Sequence, residues 1–171
     1  MTGRSLLVLG GARSGKSRFA QARAEALDGA LLFVATGQAF DAEMRARIAR
    51  HRADRGARWR TIEAPVAVAD AIRAHAAPGT VLLVDCLTLW ASNLLLGDHC
   101  VERATADLVG AIGAAAGPLI LVSNEVGLGI VPDNALARRF RDVAGTINQA
   151  VAQVADEVVM TVAGLALQLK G

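Results

Sequence analysis

Residues 10–17 read Gly10-Gly11-Ala12-Arg13-Ser14-Gly15-Lys16-Ser17, a glycine, four residues, then Gly-Lys-Ser. This is the spacing of a phosphate-binding loop, and it stands where such a loop must stand. The apolar run Leu6-Leu7-Val8-Leu9 precedes it, and a helix-like stretch begins at Arg18. Backbone N–H groups of the loop and the N-terminus of the following helix make a concave anion cradle. Lys16 is expected to reach the β- and γ-phosphates of a nucleotide and act catalytically by offsetting their charge, and the Ser17 hydroxyl to ligate Mg²⁺. A glycine-rich turn could match the letters by chance, but a strand before and a helix after select the phosphate-binding reading. The chain is expected to seat a nucleoside triphosphate on these eight residues.

Outward from the loop, apolar runs alternate with helical patterns. Strands are expected at Ser5–Leu9, Ala30–Ala35, Thr80–Asp85, Pro118–Ser123 and Glu157–Ala163, each nearly continuous in apolar residues, as in sheets covered on both faces. Ser17–Leu27, Asp41–Arg55, Pro65–His75, Leu87–Ala116 and Asn134–Ala155 are rich in Ala, Leu, Arg and Glu and read as helices. The alternation implies one α/β domain over residues 1–171, with a mostly parallel sheet, flanking helices and right-handed crossovers. The run Leu165–Leu169, close behind Gly164, reads as a short antiparallel edge strand. Ligands of open α/β sheets bind beyond the carboxyl ends of the strands. There the chain places Thr36-Gly37-Gln38, Asp85 and Ser123-Asn124-Glu125.

Composition narrows the class. The 171 residues are 53% hydrophobic and 20% charged, which argues against disorder. Mean hydropathy is +0.39, driven by alanine, and no apolar run approaches the roughly 20 residues that span a bilayer. Leu6–Gly11 is too short for a signal peptide's apolar region, so a cytoplasmic protein is expected. A formal net charge of +2 gives little support to a nucleic-acid partner. Arginines cluster between Arg45 and Arg60, around the lone aromatic Trp59, and form either a solvated face or a phosphate-holding surface. Cys86 and Cys100 lack metal-ligand spacing and are expected to be reduced.

Two residues carry alternatives. Asp85 closes the apolar run Val81–Val84 and either caps the next helix or, given the phosphate loop, holds the magnesium. His51 lies beyond Met44 and Ile48 on an expected helix, with Arg47, Arg50, Arg52 and Arg55 around it. Nearby arginines disfavour the imidazolium, and a neutral imidazole is a competent nucleophile toward phosphorus. The same position would suit a partly buried structural histidine. His75 and His99 read as surface residues.

Larger segments carry a resemblance. GGARSGKSR, VATGQAFDAEMRARI, HRADR, WRTIEAP, VDCLTLWASNLL and, above all, SNEVGLGIVPDNALARRFRDVAGTINQAVA resemble the bifunctional adenosylcobinamide kinase/adenosylcobinamide-phosphate guanylyltransferase family over nearly the whole chain. The resemblance implies a RecA-like phosphate-loop domain assembled as a homotrimer. It implies phosphorylation of adenosylcobinamide with ATP or GTP, then transfer of GMP from GTP to that phosphate through a guanylylated histidine, for which His51 is the matching position. It also implies nucleotide contacts at the phosphate loop, at Thr36, Gly37 and Gln38, at Arg52, Ala53, Asp54 and Arg55, and at Glu63 and Asp85, with Mg²⁺ on Ser17 and Asp85. Some relatives carry glutamate at the position of Asp85, and either carboxylate can serve magnesium. Two other readings stand beside it: a phosphate-loop small-molecule kinase in which His51 is inert, and a non-catalytic RecA-like module. The module reading is opposed by the near-neutral charge and the scarcity of stacking aromatics. The segment from Ser123 to Asn134 reads either as a structural loop or as one facing the corrinoid or another subunit.

Overall fold

A computed structural model of the chain describes residues 5–38 and 56–171. Among the described residues seven strands form one sheet: β1 (Ser5–Gly10), β2 (Ala30–Ala35), β3 (Trp59–Glu63), β4 (Thr80–Asp85), β5 (Leu119–Asn124), β6 (Glu157–Val162) and β7 (Leu165–Lys170). Their order is β3-β2-β4-β5-β1-β6-β7. All neighbours are parallel except β7, which pairs antiparallel with β6 at the edge. The helices among the described residues are α1 (Lys16–Glu25), α2 (Val68–His75), α3 (Leu87–Leu96), α4 (Val101–Gly113) and α5 (Ala135–Val154).

The apolar runs make central strands because both faces are buried. Leu7, Leu32, Val34, Leu82, Val84, Leu119 and Leu121 point to one side, where they meet Ile72, Trp90, Leu108, Ile147 and Val151 of α2 to α5. Leu6, Val8, Leu31, Phe33, Val81, Leu83, Ile120 and Val122 point to the other, against Ala20 and Ala24 of α1. Burying side chains of this size contributes about 1.5–3 kcal/mol each before the entropy of ordering is counted. The spacing of Ala144, Ile147, Asn148 and Val151 gives α5 its single buried stripe. The Asn134 side chain caps that helix by accepting from the Ala137 N–H at 3.1 Å.

Two elements differ from the sequence expectation. The stretch Leu87–Ala116 is not one helix but two. Gly97 closes α3 with its N–H on the Asn93 carbonyl at 3.0 Å, Asp98 turns left-handed at φ 52°, and Cys100 is extended at the start of α4. The second difference is β3, a five-residue strand (WRTIE) with neither a continuous apolar run nor a clean polar/apolar alternation to announce it. Trp59 fixes it to the body, packing edge-on to Phe33 at 6.4 Å and donating from Nε1 to Glu25 at 2.9 Å. Trp59 therefore holds an edge strand to α1. The expected helix Asp41–Arg55 lies outside the described residues. Among the described residues no helix is long and apolar enough to cross a membrane.

Candidate active site

The phosphate loop leaves β1 at Gly10 and enters α1 at Lys16, with left-handed backbone at Arg13 (φ 56°) and Gly15 (φ 95°). Left-handed residues within such a turn aim successive N–H groups into one concavity. Gly15 is needed twice over, for its φ and because a Cβ there would come within 3.2 Å of the Gly164 Cα. Lys16 folds back over the loop, its Nζ donating to the Gly11 carbonyl at 3.1 Å. Ala12 and Arg13 are exposed and Ser17 is half-buried in the first turn of α1.

The loop is held by the far end of the chain. Ser14 Oγ and Thr161 Oγ1 lie 2.8 Å apart and buried, Thr161 Oγ1 donates to the Leu9 carbonyl at 3.2 Å, and the Gly164 N–H donates to the Ser14 carbonyl at 2.9 Å. Because the one Thr161 proton goes to Leu9, Ser14 is the donor to Thr161. A Cβ on Gly10 would collide with both hydroxyls. Glycine there lets the β6–β7 hairpin fasten the loop.

Register places the acidic residues together. Ala35 is the lateral partner of both Glu63 on β3 and Asp85 on β4. At a strand spacing of about 4.8 Å, the Glu63 and Asp85 backbones stand about 10 Å apart across one strand. In the same lateral row Asp85 pairs with Val122, which pairs with Val8, two residues before Gly10. Asp85 is half-buried and Glu63 exposed.

Thr36, one residue past β2, is fully buried. Its hydroxyl accepts from the Cys86 N–H at 2.8 Å and donates to the Cys86 carbonyl at 2.7 Å, bracing the chain just after Asp85. Asn93 of α3 donates to the Thr36 and Pro65 carbonyls, both at 2.8 Å. Thr36 and Asn93 thus set where Asp85 stands. Gly37 and Gln38 follow, half-buried, on the same rim. Burial, with the charge of Asp85 beside it, pushes the Cys86 thiol up to about 11, so it is an inert packing group. Cys100 is exposed.

The carboxyl end of β5 completes the rim. Asn124 is the lateral partner of Gly10, and the next N–H, of Glu125, donates to the Gly10 carbonyl at 3.0 Å. The Asn124 N–H donates to Thr88 Oγ1 at 2.6 Å, and its carbonyl accepts from Asn148 Nδ2 at 3.1 Å. Beyond it the segment to Asn134 carries Leu128, Ile130 and Val131 in the open.

The described sites expected from sequence therefore gather on one rim: the phosphate loop, Thr36 to Gln38, Glu63 and Asp85. His51, Arg52, Ala53, Asp54 and Arg55 lie outside the described residues. Thr88, Asn93, Asn148, Thr161 and Gly164 were not legible as site residues. Thr161 alone carried a signal, a polar residue at the carboxyl end of an apolar strand.

Similarity to known proteins runs along nearly the whole chain. The family model for cobinamide kinase / cobinamide phosphate guanyltransferase matches residues 6–169. The chain is 51% identical over 167 residues to the bifunctional adenosylcobalamin biosynthesis protein CobP of Pseudomonas aeruginosa, covering 96% of each chain. It is 43% identical to the bifunctional adenosylcobalamin biosynthesis protein CobU of Salmonella typhimurium, and 40% to that of Escherichia coli. In both cases the alignment covers 96% of this chain and 99% of the relative. With a phosphate loop, two carboxylates on one rim and near-complete coverage of these relatives, the chain belongs to the cobinamide kinase / cobinamide phosphate guanyltransferase family.

Proposed function

We propose that this chain phosphorylates adenosylcobinamide with ATP or GTP and then transfers GMP from GTP to the resulting phosphate, giving adenosylcobinamide-GDP and pyrophosphate. The observation that supports it most is the family match over residues 6–169 together with a phosphate loop whose partner carboxylates share its rim.

In the first reaction the loop N–H groups and Lys16 seat the triphosphate, and Lys16 moves from the Gly11 carbonyl to the β- and γ-oxygens. Phosphoryl transfer asks chiefly for positioning and charge neutralisation, and this rim offers both. Ser17 and Asp85 are hard oxygen donors, half-buried, which suits Mg²⁺ alongside phosphate oxygens and water. Bound there, the ion would neutralise charge developing on the phosphates. Lys16 and the loop hold the same triphosphate for the second reaction, where attack falls on the α-phosphorus. In our reading His51 forms a nitrogen–phosphorus bond as the bond to pyrophosphate breaks. An oxygen of the cobinamide phosphate then displaces the imidazole, restoring His51. Arg52 to Arg55, Glu63 and the Thr36–Gln38 segment are assigned to the nucleotide. Assembly as a homotrimer in the cytoplasm, without a nucleic-acid partner, belongs to the same proposal.

The test is to supply the protein with adenosylcobinamide, ATP and Mg²⁺, then GTP, and to follow products by mass. Adenosylcobinamide phosphate followed by adenosylcobinamide-GDP supports the reading. Phosphate without the GDP product would reduce it to a kinase, and no phosphorylation would overturn it.

A further inference from the structure

Among the described residues two buried side-chain oxygens have no hydrogen-bond partner, Oδ1 of Asn124 and Oδ1 of Asn148. An orphaned buried acceptor bears its full desolvation cost, so each needs a reason. For Asn124 the surroundings supply one.

Its backbone is fixed from both sides, the N–H by Thr88 of α3 and the carbonyl by Asn148 of α5. Along β5, Ile120 and Val122 face the α1 side of the sheet, and the alternation of a strand brings Asn124 to that same side. The lateral neighbour there is Gly10, where the phosphate loop begins, and the space a side chain would take at Gly10 is filled by the Ser14 and Thr161 hydroxyls. The end of β5 therefore carries an unsatisfied buried acceptor, on backbone held from both sides, next to the start of the phosphate loop.

What lands there must bring a donor. Ionised triphosphate oxygens have none. Resting on the function proposed above, we propose that Asn124 is a catalytic residue of the kinase reaction alone: its Oδ1 accepts a hydrogen bond from the attacking hydroxyl of the acceptor alcohol and aims that oxygen at the γ-phosphorus. As the oxygen–phosphorus bond forms and the bond to the nucleoside diphosphate breaks, the hydroxyl proton leaves to solvent. Asn124, an amide, orients the hydroxyl and does not take the proton. In guanylyl transfer the attacking groups are an imidazole nitrogen and then a phosphate oxygen, so no hydroxyl occupies the position. Thr88 and Asn148 are positioning residues that act through the Asn124 backbone.

The experiment compares wild type with Asn124→Ala in two assays: ATP-dependent phosphorylation of adenosylcobinamide, and formation of protein-bound label from GTP labelled on the α-phosphate. Loss of aim at the nucleophile should lower kinase kcat about 100-fold. KM for ATP and the yield of labelled protein should stay within about twofold of wild type, since ground-state nucleotide binding is untouched. A kinase kcat within a few-fold of wild type overturns the proposal. So does a parallel fall in both assays, which would mark a structural or metal-organising role. Asn124→Ser, which keeps a small polar group at the strand end, serves the same comparison should the alanine variant not fold. If wild type fails to phosphorylate adenosylcobinamide, the substrate reading fails and this proposal falls with it. Normal wild-type turnover with an unaffected Asn124→Ala variant refutes the proposal alone.

Discussion

Thr161→Val isolates the contact by which the end of the chain shapes the phosphate loop. Valine has nearly the volume of threonine, so the change removes a hydroxyl and little else. That hydroxyl bonds the buried Ser14 Oγ at 2.8 Å and the Leu9 carbonyl at 3.2 Å. Two neutral hydrogen bonds at about 0.5–1.5 kcal/mol each place the stability loss at about 1–3 kcal/mol. For a chain of this size about 2 kcal/mol lowers the melting temperature by about 4–8 °C. Nucleotide should suffer as well, because Ser14 lies within the cradle and an untethered loop must be ordered on binding. If about 1.4 kcal/mol of that loss falls on binding, Kd for GTP rises about tenfold. Thermal melting and titration with a fluorescent GTP analogue measure the two effects on one preparation. A lower melting temperature with unchanged Kd would refute the reasoning, showing that the hydroxyl supports the sheet without shaping the loop.

Lys16→Ala should depress both kinase and guanylyl-transfer rates by about 10²–10³-fold, the range for removing one charge-stabilising donor; near-normal turnover in either assay would count against the loop assignment. Asp85→Asn should remain folded, since the backbone beside it is braced by Thr36 and Asn93, but should need more Mg²⁺ for half-maximal rate. Unfolding of that variant, with wild-type metal dependence in whatever activity remains, would favour a purely structural aspartate. The two cysteines should separate in alkylation of the native protein at pH 8. Cys86 stays protonated because its thiol is raised to about 11 and gains thiolate only as pH climbs towards that value, while Cys100 is exposed. Equal labelling, read by peptide mass, would show that Cys86 is not buried.

Where the sequence was legible, one local pattern decided the outcome. The loop spacing, the doubly buried apolar runs and the polar residues at their carboxyl ends needed only neighbours in the chain, and they placed the described site residues on one rim. Trp59–Glu63 was opaque because this short edge strand has neither a continuous apolar run nor a strict alternation, and it follows directly on the arginine cluster. The break between α3 and α4 turned on Gly97, which closes α3, and the left-handed Asp98 after it, a two-residue interruption of a long run of helix formers. The clamp from Thr161 and Gly164 to Ser14 joins residues about 150 positions apart, and no short-range pattern encodes such a contact. Thr36 shows a subtler limit. Its place on the rim was foreseen, yet its hydroxyl is taken up by the Cys86 backbone, so only the packed structure reveals that it braces the strand end.

The central claim is that one triphosphate site serves two chemistries, separated by a covalent nucleotide on His51. The most direct measurement is incubation with GTP labelled on the α-phosphate, followed by denaturation and acid or alkali treatment, for wild type and His51→Ala. The account predicts label on the wild-type protein that is lost in acid and persists in alkali, as a phosphoramidate requires. It predicts none on His51→Ala, which should still phosphorylate adenosylcobinamide at least in part. Label on His51→Ala equal to wild type would contradict the account, because the nucleophile would then lie elsewhere.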